Sequence, residues 1–163
     1  MTLVDIIKNY IVNSSNKIKI NSKDIKKNDI FLALRGSNYH GNKYINDAIN
    51  AGAKYCITDK EPKSLKNSKK ILLVQNIQNF LIDLSEEKRS IYKGKVVGIT
   101  GSAGKTSLKE YLKFFLGKKF KVSASIKSYN NNLGVMISIL NMNLKSDYAI
   151  FEIGTNIFLR VGN

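Results

Sequence analysis

The chain has 163 residues, of which 43% are hydrophobic and 24% charged, with a formal net charge of +15. That length allows one ordinary domain or two small ones with packed cores, and no apolar run reaches the roughly 18 residues that read as a membrane span. Cys56 is the only cysteine and His40 the only histidine, which excludes an intrachain disulfide and a multi-histidine metal site. The start, Met1 to Lys8, is amphipathic with an early acid and lacks the basic and apolar regions of a signal peptide, so the cytoplasm is the expected compartment. Dense positive charge attracts phosphate backbones. Here, however, arginine occurs only at Arg35, Arg89 and Arg160, and the remaining basic residues are lysines amid abundant asparagine and isoleucine, the composition of an AT-rich coding sequence. No aromatic-interleaved basic cluster stands out, so no specific nucleic-acid partner is expected.

In chain order, Leu3, Ile6, Ile7 and Ile11 predict a helix over 3–12. Ile18 and Ile20 suggest a short strand, and the apolar run 29–34 a buried one. Residues 35–42 are rich in turn formers and read as a loop. A helix is expected over 44–51 with Gly52 at its C-terminal cap, then a strand over 54–58, a polar stretch over 61–70, a strand over 71–74 and a helix over 77–92. This alternation indicates an α/β domain ending near Lys93 and Gly94. A second unit follows: a strand over 95–99, a glycine-rich loop, a helix over 105–116 with Leu108, Leu112, Phe115 and Leu116 on one face, a strand beginning over 120–123, a helix over 132–140 and an apolar strand over 147–153. At about 70 residues this unit is small for a free-standing domain, and residues 157–163 have no evident role. The sequence reads as a truncated chain.

The strongest motif is Gly101, Ser102, Ala103, Gly104, Lys105, Thr106 and Ser107, between a strand and a helix. Glycines let backbone amides approach phosphates at a helix N-terminus; Lys105 would reach the β- and γ-phosphates, and the Thr106 hydroxyl would bind Mg²⁺. The early glycine of the common loop is replaced by Ile99, so this is a variant form, and the plain alternative is a helix-entry turn. Glu152, near the end of its strand, could hold Mg²⁺ at the edge where open α/β sheets bind ligands, or could cap a strand in solvent. The segment Ser128 to Gly134 could offer amides to a substrate or be an Asn-rich, N-capping turn. His40 reads as a surface loop residue, Cys56 as core, and the tyrosines and phenylalanines as core and rim with no stacking platform.

Taken together, these residues resemble the Mur ligases of peptidoglycan synthesis over about residues 20–156. Val97 to Ser107 matches the family's ATP loop, including the absent early glycine; Ser128 to Gly134 looks like its Asn-Asn-x-x-Gly segment; Phe151 to Asn156 looks like its Glu-x-Gly-x-Asn segment; and Asn21 to Gly36 is similar to the domain that holds the uridine nucleotide. The resemblance implies an α/β fold with a small N-terminal substrate domain at 1–93 and a truncated P-loop central domain with a mainly parallel sheet at 94–163. It implies ATP and Mg²⁺ as cofactors, Lys105 and Glu152 as catalytic residues, and Thr106 and Glu152 as metal ligands. It further implies substrate contacts from Ser22, Lys23, Arg35, Gly36, Asn130 and Asn131. The implied reaction joins D-alanyl-D-alanine to a UDP-N-acetylmuramoyl-tripeptide through an acyl phosphate, in a monomer that needs the rest of the central domain and a C-terminal domain. The alternatives are a non-catalytic nucleotide-binding remnant and the sister activity that adds the third peptide residue. The chain departs from the family's pattern at Asn21-Ser22-Lys23 (usually Asp-Ser-Arg), His40-Gly41-Asn42 (often Asp-Gly-His) and Ile157 (usually histidine).

Overall fold

The computed structural model describes residues 1–14, 17–62, 68–126 and 129–154. It divides into two compact units, Met1–Leu84 and Ser85–Asn163.

The first unit opens with α1 (Leu3–Asn13). A capping box starts it: the Asp5 amide donates to the Thr2 hydroxyl oxygen at 3.2 Å and the Thr2 amide to the Asp5 carboxylate at 2.8 Å, so two amides without helical partners are satisfied reciprocally. The buried stripe is Ile7, Ile11 and Val12. Ile6, expected on that stripe, is 40% exposed, because it stands about 100° around the helix from Ile7. Strands β1 (Ile18–Lys19), β2 (Ile30–Ala33), β3 (Tyr55–Thr58) and β4 (Ile71–Leu73) form a four-stranded parallel sheet in that order. A parallel sheet is covered on both faces, and β2 is accordingly buried at every position. Alternation along the strand sends Phe31 and Ala33 to one face, where they pack with Cys56 and with Ile45 and Ala48 of α2 (Ile45–Asn50). On the other side α1 lies against β4.

The expected loop over 35–42 and helix start at Tyr44 differ in the structure. Arg35 and His40 form an isolated antiparallel bridge, and Gly41–Tyr44 is a short 3-10 helix feeding α2. The end of α2 is a Schellman motif: the Ala53 amide donates to the Ala48 carbonyl at 2.9 Å and the Gly52 amide to that of Ile49 at 3.0 Å. Gly52 sits one position past the cap, at φ 101°, a conformation that glycine adopts without strain.

Helix α3 (Ile77–Ile91) contains the boundary between the units. In the second unit, β5 (Lys95–Ile99), α4 (Lys105–Gly117), β6 (Val122–Ala124), α5 (Asn132–Leu140) and β7 (Tyr148–Glu152) build a parallel sheet in the order β5-β7-β6. The last strand in sequence is thus the central one, which accounts for its apolar run: Ala149, Ile150 and Phe151 are buried. Ala149 and Phe151 pack with Tyr92 and Met142. Lys88, fully buried, donates from Nζ to the Leu140 carbonyl at 2.7 Å and so satisfies the C-terminal end of α5.

Helix α4 is turned differently from the sequence expectation. Leu108 and Phe115 are 48% and 61% exposed. The side facing the sheet is instead Lys105, Lys109, Leu112 and Leu116, of which only Lys109 is fully buried. Tyr111 and Phe114 are also exposed, and the rings of Phe114 and Phe115 meet edge to face at 5.4 Å.

Candidate nucleotide and metal site

The site begins where β5 ends. Residues Ile99 and Glu152 are register partners in the β5–β7 pair, so the chain leaving β5 and the end of β7 emerge at the same C-terminal sheet edge, where open α/β sheets receive ligands. The turn from β5 into α4 passes through Gly101 at φ 143° and Gly104 at φ 76°. A Cβ on Gly104 would meet nothing within 4 Å: the constraint there is conformational, and the space before the loop is open. At Gly98 a Cβ would stand 2.9 Å from Ile153 Cδ1, the far end of that side chain, which would have to shift.

Gly104 is the N-cap of α4, and no side chain caps the helix. Helical geometry gives the first-turn amides, those of Lys105, Thr106 and Ser107 among them, no intrahelical acceptor; with the dipole they form an anion-binding end. Ser102, Ala103 and Gly104 are exposed, so no packing obstructs an approaching phosphate. Lys105 folds back and donates from Nζ to the Gly101 carbonyl, spanning the loop that it would open toward a phosphate.

Glu152 is fully buried, which overturns the picture of a solvated strand cap. Its Oε2 accepts a hydrogen bond from the Thr106 hydroxyl at 3.1 Å, its Oε1 stands 2.8 Å from Lys109 Nζ, and its amide donates to Ser125 Oγ at 3.3 Å. Lys109 also lies 3.3 Å from Glu110. One hydroxyl and one carboxylate oxygen side by side suit a hard cation such as Mg²⁺. Among the described residues no three His, Cys, Asp or Glu side chains gather for a metal, so phosphate oxygens and water would complete its shell.

Asn131 caps α5, its Oδ1 accepting from the Gly134 amide at 2.7 Å, as the capping alternative anticipated. Asn130 accepts at its carbonyl from the Gly154 amide at 2.7 Å, which ties this loop to the chain just beyond Glu152. A Cβ on Gly134 would fall 2.8 Å from the Tyr129 backbone; the spacing from the asparagines to this glycine is a packing requirement. Ser128, Thr155, Asn156 and Ile157 lie outside the described residues.

In the first unit, Ser22 and Lys23 occupy a 3-10 turn just after β1, capped by the Asn21 side chain. Arg35 and Gly36 follow β2; Gly36 donates to the Tyr39 carbonyl at 2.9 Å. Both segments leave the C-terminal ends of adjacent parallel strands. His40 is not a plain surface residue: its side chain is 11% exposed, its Nε2 lies 2.8 Å from Asp59 Oδ1, and its Nδ1 accepts from the Asn42 amide at 3.2 Å. The acceptor role of Nδ1 assigns the neutral ring's proton to Nε2. Nor are the tyrosines wholly scattered. The rings of Tyr39 and Tyr44 lie 6.2 Å apart, and Lys43 Nζ stands 3.9 Å from the Tyr39 centroid. A hydrogen bond with Tyr39 holds the Tyr44 phenol below its ordinary pKa.

Sequence reasoning missed Lys109. The available signal was its spacing of four from Lys105, which places the two on one helix face.

Residues 15–89 match the Mur ligase family, catalytic domain, and residues 99–160 match the Mur ligase middle domain. The chain belongs to the Mur ligase family. Among its relatives is the UDP-N-acetylmuramoyl-tripeptide–D-alanyl-D-alanine ligase of Rickettsia prowazekii, 45% identical over 141 residues that cover 86% of this chain and 31% of that protein. A UDP-N-acetylmuramoyl-L-alanyl-D-glutamate–2,6-diaminopimelate ligase of Rickettsia typhi is 32% identical over 120 residues, 72% of this chain and 23% of that protein. The crystal structure of the MurF ligase of Thermotoga maritima in complex with ADP superposes with a TM-score of 0.70 at 31% identity, covering 90% of this chain and 33% of that one. The α/β fold with parallel sheets is therefore that of the N-terminal and middle domains of a Mur ligase. The chain spans about a third of the length of these D-alanyl-D-alanine-adding relatives.

Proposed function

We propose that this chain is the N-terminal portion of an ATP-dependent ligase that joins D-alanyl-D-alanine to UDP-N-acetylmuramoyl-tripeptide. The observation that carries the reading is the convergence of the uncapped α4 N-terminus, Thr106 and buried Glu152 at one sheet edge. The relatives' names add the substrates. In the proposed division, residues 1–93 hold the uridine nucleotide through Ser22, Lys23, Arg35 and Gly36, and residues 94–163 hold ATP through Gly101 to Ser107, with Asn130 and Asn131 toward the substrate. The protein is proposed to work as a cytoplasmic monomer; no helix among the described residues is long and apolar enough to cross a membrane.

The reaction is transfer of the γ-phosphoryl group of ATP to the tripeptide's terminal carboxylate, the bond to the β-phosphate breaking to release ADP. The amine of D-alanyl-D-alanine then attacks the acyl carbon; the carbon–nitrogen bond forms, the carbon–oxygen bond to phosphate breaks, and the amine proton is released. Little covalent work falls to the protein in phosphoryl transfer; positioning and charge stabilisation dominate. Lys105 supplies a mobile positive charge, and the first-turn amides of α4 fix the phosphates. Thr106 and Glu152 would hold Mg²⁺, which when bound neutralises charge on the phosphate oxygens.

Calorimetric titration with ADP and ATP tests the reading. The parent chain is expected to bind, and Lys105→Ala to weaken binding roughly 10- to 100-fold, the worth of one charge-assisted hydrogen bond, with the circular dichroism spectrum unchanged. Undiminished binding by a folded variant would remove the loop from the site. The diaminopimelate-adding relative supports a second reading, the sister activity at the third peptide position. Substrate choice by the whole protein separates the two.

A further inference from the structure

Two lysines among the described residues are fully buried. Lys88 has a structural task at the end of α5. Lys109 stands on the sheet-facing side of α4, where an aliphatic side chain would pack, and its ammonium lies 2.8 Å from Glu152 Oε1. A buried ion pair is weak support for stability, since apolar replacements of similar volume often serve as well or better. Its value here lies in what it does to the carboxylate. Glu152 Oε1 faces the Lys109 ammonium while Oε2 accepts from the Thr106 hydroxyl, and the Glu152 backbone amide is held by Ser125. The exposed Glu110 lies 3.3 Å from the same ammonium.

We infer that Lys109 is a positioning residue for the divalent cation: its ammonium pins one oxygen of Glu152 so that the other stands beside Thr106 before the metal arrives. The inference rests on the nucleotide-and-metal reading of this edge. Partners that orient a ligating carboxylate typically change metal affinity roughly 10- to 100-fold when removed, and that is the effect expected here. Lys109 touches neither nucleotide nor substrate in this role; it acts through Glu152.

The test uses the 163-residue chain with Mn²⁺ and ADP as probes, bound metal being read by electron paramagnetic resonance, and ADP affinity without metal by calorimetry. Lys109→Met keeps the stem and removes the charge; Lys109→Arg keeps the charge. The expected result is that Lys109→Met loses Mn²⁺ affinity roughly 10- to 100-fold while its metal-free ADP affinity stays at the parent's level, and that Lys109→Arg recovers metal binding. A merely structural lysine would lower the unfolding temperature of Lys109→Met without altering Mn²⁺ affinity in the folded molecules, and that result overturns the inference. Should Lys109→Met fail to fold, Lys109→Leu, which likewise carries no charge and no donor, is read by the same criteria. A parent chain that binds no Mn²⁺ with ADP would defeat the nucleotide reading itself, an outcome distinct from a parent that binds and a variant that binds equally well.

Discussion

Cys56 lies in β3 with no exposed surface, and burial pushes its thiol up to about 12. The nucleophilic form is the thiolate, which a raised pKa makes scarce at neutral pH. The folded chain is therefore expected not to react with an aromatic disulfide reagent at pH 7, and to release one equivalent of chromophore on denaturation; prompt labelling of the native protein would contradict this packing. Cys56 was legible because a cysteine in an apolar run is ordinarily core. Glu152 was only half legible. Its place at the strand end could be read, but its burial depends on β7 lying between β5 and β6, a neighbour relation absent from the local pattern. Lys109 was legible only as sharing a helix face with Lys105; a helical lysine ordinarily faces water, and it is the tertiary position of Glu152 that gives it a buried carboxylate partner.

At the level of elements, the Thr2–Asp5 capping box ties α1 to pH. Hydrogen bonds from the Thr2 side chain, and next from its backbone, hold the Asp5 carboxyl below its ordinary pKa. A depressed folded-state pKa means the stabilisation is present above the unfolded value and is lost as the pH falls through the folded one. Amide exchange in the first turn of α1 is expected to accelerate, relative to the intrinsic rate, as the pH falls below about 4. Thr2→Val, which removes the hydroxyl but keeps the backbone amide, should weaken that dependence, and exchange protection flat across this range in the parent would refute it. The helices and strands themselves were largely readable, because their apolar periodicities differ. The rotation of α4 was not. Its stripe of Leu108, Leu112, Phe115 and Leu116 is more apolar than the side it packs with, which includes two lysines, so hydrophobicity pointed to the wrong phase. Residues 35–44 resisted for another reason: turn formers announce a change of direction but not the Arg35–His40 bridge or the 3-10 turn that follow.

For the whole molecule, the two units carry separate cores, one around Phe31 and Cys56 and one around Tyr92 and Phe151. A ligand stabilises what it binds by mass action, about 2.7 kcal/mol at a hundred times its dissociation constant. With ADP and Mg²⁺, added hydrogen-exchange protection is expected within residues 85–163, and with UDP within residues 1–84. Protection by ADP confined to the first unit would place the nucleotide elsewhere. The alternation of strands and helices was enough to expect two α/β units, whereas the strand order β5-β7-β6 had to come from the structure.

The exposed side chains of Leu108, Tyr111, Phe114 and Phe115 on α4 also bear on how the protein behaves in solution. Each copy carries a net +15, so molecules repel one another when the screening length is long, roughly 30 Å at 0.01 M salt. At 1 M it shrinks to about 3 Å, while the attraction between apolar surfaces remains. Salt is therefore expected to act as a precipitant for this chain: dilute buffer would keep copies apart by charge, and concentrated buffer would leave aromatic surface to meet aromatic surface.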